Sequence, residues 1–399
     1  MSEPESPASK ESSPAGREVA CELTKIDSGT AWVSPYWGSN APKLVFDGEA
    51  FYTLGLWGDK QATARGVIYK YEAGQWVKGY QWADLNYQPG MLLLDSQKRL
   101  ILIYPRMQAK PVILRSAARG DIENFEPLPV PDKIALAGYV GAGIYGDRLV
   151  IGYIGEPGVY SFNLAVLDLK TLQWSGPYLL AWEQRNTEPL TTWLYPIIQP
   201  DKEGVSLVVT NHSGGVGPRY TYSPVLYVYI RYSNLEQPPA PQIIAEMVPW
   251  KGRTVFASSM FAAADGTIYV TALYDPGQKD RAVRICRKDP NTGAWDYRDL
   301  PGVYGGAAIS ENPDEPGVLW MILRDADSVL LFHSRDRGGS WQPVPVHGLP
   351  PSPLSGPWFL HGISPASGSA MPGLPCAVFS SGAGQTCELW FIRFHRGKE

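Results

Sequence analysis

The sequence predicts an all-β protein: a seven-bladed β-propeller of four-stranded antiparallel blades, its ring closed by the N-terminal strand. Three observations predict it. Gly (41) and Pro (36) together make about a fifth of the 399 residues, and helix interiors tolerate neither. Aromatic residues make up 12%, with 14 Trp and 22 Tyr, types that suit pleated surfaces. Finally, one pattern returns roughly every 45–60 residues: short apolar strand, turn, second strand, loop, then a strand pair ending in an aromatic.

The elements follow in order. Residues 1–18 are mostly Ser, Pro, Glu, Ala and Lys and have almost nothing to bury, so they read as a disordered tail before a single propeller over 19–399. No signal peptide precedes the tail. It reads equally as a linker left after a secretory signal and as a native cytosolic N-terminus. Val19–Asp27 is a spare strand. Blade one is read from KLVFDGEAFYTLGLW and GVIYKYEAGQWVKGYQW, blade two from MLLLDSQKRLILIYP and PVILRSAARGDIENF, and blade three from YVGAGIYGDRLVIGYI and FNLAVLDLKTLQWSG. Blade four is read from YPIIQPDKEGVSLVVT and SPVLYVYIRYS, blade five from MFAAADGTIYVTALY and AVRICRKDPNTGAWDY, and blade six from AAISENPDEPGVLWMIL and SVLLFHSRDRGGSWQPV. The last repeat, HGISPASGSAMPGLPCAVFSS with ELWFIRF, lacks a fourth strand, and the spare strand is expected to pair with ELWFIRF and leave no open edge.

Charge and cysteines narrow the classes. The formal net charge is −4, so no basic field recommends nucleic acid, and no apolar run is long enough to span a bilayer. Cys21, Cys286, Cys376 and Cys387 fit no zinc spacing. Cys376 and Cys387 flank a turn-like stretch, so a hairpin disulfide and two buried thiols both stay open. Five His without paired spacing argue against a transition-metal site. No cofactor is expected, with structural calcium from rim carboxylates left open.

Ser334-Arg335-Asp336-Arg337-Gly338-Gly339-Ser340-Trp341 matches S-x-D-x-G-x-x-W. It resembles the Asp-box, or bacterial neuraminidase repeat. Such a hairpin uses Asp to accept backbone N–H bonds and Gly to supply positive φ. Weaker copies run from Asp289 to Trp295, Tyr71 to Trp76 and Asp168 to Trp174. Although acidic, these residues read as structural, because the turn lies away from the axis.

The resemblance extends over residues 30–235. SPYWGSNAPKLVFDGEAFYTLG, DLNYQPGMLLLDSQKRLILIYPRM and YPIIQPDKEGVSLVVTNHSGG resemble blades of the neuraminidase-repeat family that includes ulvan lyases and related polysaccharide-degrading propellers. It implies a carbohydrate-active propeller. The departures bear on activity. Two His of the family's second blade fall at Leu85 or Asn86 and at Met107, none of which takes a proton. The family's Arg in the third blade falls near Ile154 and Gly155. Arg106 survives, and Tyr139 matches the family's Tyr. β-Elimination needs a base and a cation for the uronate carboxylate, so no lyase activity is expected by that route.

Propeller topology brings the starts of the first strands and the ends of the second strands to one axial face. The binding candidates there are Tyr36, Trp37, Asn40, Asn86, Tyr87, Arg106, Trp193, Tyr195, Asn211, Tyr304, Arg324 and His361. Tyr and Trp offer flat faces to sugar rings, and the polar groups offer forked partners for hydroxyls. His212, Arg219 and Tyr139 are the catalytic candidates: His212 followed by Arg219, Tyr220 and Tyr222 offers a base, a cation and an acid for uronate chemistry, and Tyr139 matches the family's Tyr. The plainer reading of His212 is a loop side chain bonded to backbone.

The leading expectation is therefore a polysaccharide-engaging propeller, secreted or at the cell surface or periplasm, and monomeric. Its ligand is an oligo- or polysaccharide, acidic where uronates are present. One alternative is a non-catalytic protein-interaction propeller, since Tyr, Trp and Arg also dominate protein hot spots. The other is a glycoside hydrolase, sialidase-like or not, using His212 or the axial carboxylates Asp59, Glu156, Asp275 and Asp325. Arg106, Arg219 and Arg324 are the guanidinium groups a sialidase would need.

Overall fold

A computed structural model describes residues 19–31, 36, 42–60, 63–83, 90–104, 106, 109–136, 140–155, 162–179, 191–213, 225–237, 242–247, 257–274, 282–303, 305–325, 328–347, 360–382 and 386–396. Seven sheets form; in six the strands add in sequence order, and in the seventh the N-terminal strand pairs beside the last C-terminal one. Blade 1 comprises Leu44–Phe46, Phe51–Trp57, Arg65–Glu72 and Gln75–Ala83; blade 2 comprises Met91–Leu94, Leu100–Tyr104, Val112–Ser116 and Phe125–Pro127. Blade 3 comprises Val140–Tyr145, Arg148–Ile154, Phe162–Asp168 and Gln173–Leu179; blade 4 comprises Thr191–Asp201, Gly204–Ser213, Val225–Tyr232 and Gln242–Met247. Blade 5 comprises Ala257–Ala262, Ile268–Tyr274, Ala282–Lys288 and Trp295–Pro301; blade 6 comprises Ala307–Glu311, Leu319–Arg324, Val329–Ser334 and Gln342–Val344. Blade 7 takes Leu360–Gly362, Cys376–Ser381 and Cys387–Arg396 from the C-terminal end and Val19–Gly29 from the N-terminal end.

The seam forms as the spare strand predicts. Val19–Gly29 runs antiparallel to Cys387–Arg396, from Val19 opposite Arg396 to Gly29 opposite Cys387, with a bulge at Lys25–Asp27. The short strand Val346–His347 adds in parallel outside it. Side chains then tie the seam strand to blade 1. The Tyr69 hydroxyl donates to Asp27 Oδ2 (2.5 Å), the Tyr71 hydroxyl to Glu22 (2.5 Å), and Trp76 Nε1 to Thr24 Oγ1 (3.3 Å).

Burial explains the strand patterns. Met91–Leu94 is buried throughout because blades cover both of its faces, whereas Gln173–Leu179 alternates exposed and half-buried at the outer edge. Between blades 3 and 4 the backbones approach closely: a Cβ on Gly141 would sit 2.2 Å from the Pro196 carbonyl, and one on Gly143 would sit 2.5 Å from that of Ile198. Only glycine fits there.

The sequence leaves two fates open for Cys376 and Cys387, and the structure decides between them. Both are buried thiols outside any disulfide. Cys376 lies opposite Arg393 while Glu388 lies opposite Ser381, so the two cysteines begin successive antiparallel strands at opposite ends. A bridge between them is sterically out of reach.

The hairpin at 334–341 closes on itself. Asp336 Oδ1 accepts from the Ser340 amide (2.9 Å) and the Ser334 hydroxyl (2.8 Å), and Ser334 Oγ accepts from the Gly338 amide (2.8 Å). The bonds from Ser340 and Ser334 hold the Asp336 carboxyl down to about 2. Gly338 takes φ +80°, and Trp341 packs against the core shared by blades 5 and 6. Asp168 and Asp289 each accept two amides in the equivalent turns of blades 3 and 5.

One element has no precedent in the repeat. Residues 363–375, between the first two strands of blade 7, fold across the axis. A one-turn 3-10 helix, Pro365–Ser367, touches the first strands of blades 2, 3 and 4. Lys98 donates to the Gly368 carbonyl (2.9 Å), the Ala370 amide to the Phe46 carbonyl (2.8 Å), and the Phe46 amide to Ser369 Oγ (3.1 Å). Gly368 takes φ +74°, and a Cβ there would meet the Leu94 carbonyl at 2.0 Å. Its partners Phe46 and Leu94 end first strands, so this segment plugs the end of the axis opposite the predicted face.

Candidate functional site

Above the plug the axis narrows to a cavity of about 50 Å³, lined by Pro42, Ala142, Ser258, Met260, Ala308 and His361 among others. That volume holds water and no sugar ring. Any larger ligand on the axis must therefore sit at the end where the first strands begin.

Polar side chains stitch the blades together at that end. His361 of blade 7 donates from Nε2 to the Tyr36 carbonyl (3.2 Å), and the two rings meet edge-on at 5.8 Å. The Tyr36 hydroxyl lies 3.2 Å from Thr53 Oγ1, which donates to the Lys43 carbonyl (2.8 Å). Lys43 Nζ then donates to the Gly90 carbonyl at the entry to blade 2 (2.8 Å). Thus blades 7, 1 and 2 are joined by one chain of bonds. Burial, with the Lys43 charge beside it, pushes His361 down to about 3, so its imidazole is neutral. Burial also raises the Tyr36 phenol.

Arg324 closes the next joint. Its side chain is 0% exposed, its Nη1 donates to the Ser380 carbonyl of blade 7, and its guanidinium lies 5.5 Å over the Phe379 ring. Desolvation lowers it to about 10. Between blades 5 and 6 the tie is Ser258, whose hydroxyl contacts Thr271 Oγ1 (2.8 Å) and the Ala307 carbonyl (3.2 Å).

The structure thus gives Tyr36, Arg324 and His361 places inside the wall that supports the mouth. Tyr195 is buried as well and takes φ +54° where the first strand of blade 4 bulges between Leu194 and Ile197. Arg106 is exposed. Register sets Trp193 opposite Asn211, and His212 opposite Thr192 and Val225, at the matching end of blade 4; their side chains lie outside the description. Trp37, Asn40, Leu85, Asn86, Tyr87, Met107, Tyr139, Glu156, Arg219, Asp275 and Tyr304 lie outside the described residues. Asp59 is exposed and accepts from the Thr63 hydroxyl (2.5 Å). Lys43 and Thr53 were missed by sequence reasoning. Lys43 directly precedes an apolar strand, and that adjacency is the signal that was there to read. Among the described residues no three His, Cys, Asp or Glu gather as a metal site, and no helix is long and apolar enough to cross a membrane.

No protein-family model matches the chain. No curated protein matches its sequence. Solved structures do match in fold. Polysaccharide lyase Uly1 is 9% identical with a TM-score of 0.54, over 89% of this chain and 90% of that one. The GH93 α-L-arabinofuranosidase of Fusarium graminearum, in complex with arabinobiose, is 12% identical with a TM-score of 0.50, over 76% of this chain and 92% of that one. A puromycin-hydrolysing peptidase of Mycobacterium tuberculosis is 10% identical with a TM-score of 0.51, over 90% of this chain and 53% of that one. At these identities the likeness is one of fold: the chain is a seven-bladed β-propeller.

Proposed function

We propose that the protein engages polysaccharide at the axial end where its first strands begin. The observation that carries this reading is the plug at residues 363–375, which seals the other end. Two of the similar folds, a polysaccharide lyase and an α-L-arabinofuranosidase, act on carbohydrate, which supports the same class here. Burial sets the wall residues apart from the proposed contacts. Tyr36, Lys43, Arg324 and His361 form the floor and its positive charge. Trp37, Tyr87, Arg106, Trp193, Asn211 and Tyr304 are proposed to touch sugar, with Asn40 and Asn86 shaping the rim and buried Tyr195 behind it. His212, Arg219 and Tyr139 are proposed as base, cation and acid if a bond is cleaved. We also infer that the 334–341 hairpin is an Asp-box and that such a ligand places the protein outside the cytoplasm.

Binding to a set of acidic, uronate-containing polymers is expected to be lost in Trp37→Ala and weakened in Arg106→Ala. If uronate is cleaved by elimination, the conjugated product absorbs in the ultraviolet, and His212→Ala removes that signal. No binding to any polymer, with a protein partner recovered instead, would overturn the reading in favour of an interaction module.

A further inference from the structure

We propose a second carbohydrate site, on the plugged face over blade 3, that takes a short run of neutral sugar. It lies at the other end of the propeller from the axial mouth. A groove of about 740 Å³ runs there between the two hairpin turns of blade 3 and the first turn of blade 2, lined by Ser96, Tyr145, Asp147, Arg148, Lys170 and Trp174 among others. That size suits an oligosaccharide.

Three features select the ligand. The first is aromatic surface. Tyr145 is 48% exposed, an unusual state for a large ring in this molecule, and Trp174 is half-buried in the same groove. Trp174 spends its only donor on the Pro129 carbonyl (2.7 Å), so what remains is a fixed apolar face of the kind that sugar C–H groups stack upon.

The second is balanced charge. Asp147 and Asp168 face Arg148 and Lys170 around the groove. Asp147 already accepts from the Ser96 hydroxyl (2.6 Å) and from Lys170 Nζ (3.2 Å). Two carboxylates against two cations leave no net field to attract an acidic or basic ligand. They do leave forked donors and acceptors, with Thr171 and Gln173 beside them, which suit hydroxyl groups.

The third is rigidity. The amides of Lys170 and Thr171 are bonded to Asp168 Oδ1 (2.8 and 3.0 Å), and the Leu169 amide is bonded to the Asp147 carbonyl (2.8 Å). The Ser96–Asp147 bond ties blade 2 to blade 3 across the groove floor. A preformed site loses little entropy on binding.

The test uses the full chain with cellohexaose, xylohexaose, mannohexaose and arabinohexaose, by calorimetry and saturation-transfer NMR. At least one hexasaccharide is expected to bind with a Kd of about 1 mM or tighter. Tyr145→Ala is expected to weaken it at least about tenfold, with Tyr145→Phe retaining it and Trp37→Ala leaving it in place. Absence of binding by all four, or binding that Trp37→Ala abolishes and Tyr145→Ala spares, would overturn the proposal. Since polymer binding at the mouth is read through Trp37, the two sites can fail separately.

Discussion

Two stretches of the axial wall meet the same demand by different means. From blade 6 through blade 7 to blade 2, neighbours are held by buried polar side chains: Arg324 to Ser380, His361 to Tyr36, and Lys43 to Gly90. Between blades 3 and 4 close backbone packing is what the described residues show: Gly141 and Gly143 let backbone lie directly on the Pro196 and Ile198 carbonyls. The polar stretch holds the seam, where the chain's two ends must be joined. A directional bond specifies which blade sits beside which, whereas close packing alone rewards any snug neighbour. Such bonds come at a cost in desolvation, visible in the lowered Arg324 and His361.

Substitutions can break or sharpen this contrast. The largest effect is expected at Arg324. Arg324→Ala should destabilise by roughly 3–5 kcal/mol in denaturant unfolding, as truncation of a large buried side chain does. Arg324→Met, which fills the volume without the charge, should recover most of that loss. If Met is as damaging as Ala, the bond to Ser380 matters more than the packing. Gly141→Ala comes next, at about 1–3 kcal/mol, because the neighbouring backbone must shift; a neutral result would show that blades 3 and 4 have slack.

The third effect is a pH dependence that arises in the polar stretch. His361 sits at about 3 in the fold, against an ordinary value near 6.5. The unfolded chain therefore binds the extra proton first. Stability should be full above about pH 6.5 and fall as pH drops towards 3, by at most about tenfold in the folding constant per pH unit. His361→Asn should flatten the midpoint of unfolding over the upper part of that window, above the range where Asp336 and the other lowered carboxylates titrate, with Gly141→Ala leaving its slope unchanged. The smallest effect lies outside the wall. Asp336→Ala should cost about 1 kcal/mol by freeing the 334–341 turn, and the carboxyl held at about 2 means that this contribution persists until strongly acidic pH.

Much of the fold was legible because its signals are short-range. Asp47 and Asp95 turns, alternating outer strands and the Ser334–Asp336 bonds each depend on a few consecutive residues. The spare strand at Val19–Gly29 was legible by counting, since one blade lacked a strand. The plug was not, because Ser, Pro and Gly at 364–373 read as an ordinary turn between two strands. The candidate site was legible only as a list of strand ends. Position along a strand tells which end of the sheet a residue occupies, and does not tell whether the next blade covers it. That is why Tyr36, Arg324 and His361, chosen as contacts, proved to be ties within the wall.

By itself the sequence determined the blade count, the strand order and the means of closure, since each follows from period, turn chemistry and one strand left over. Tertiary structure alone decided which end of the axis is sealed, which cations are buried and which cysteines stay apart. Those outcomes depend on contacts such as that between Tyr36 and His361, 325 positions apart. No local pattern encodes such a contact, because it exists only once the ring has shut.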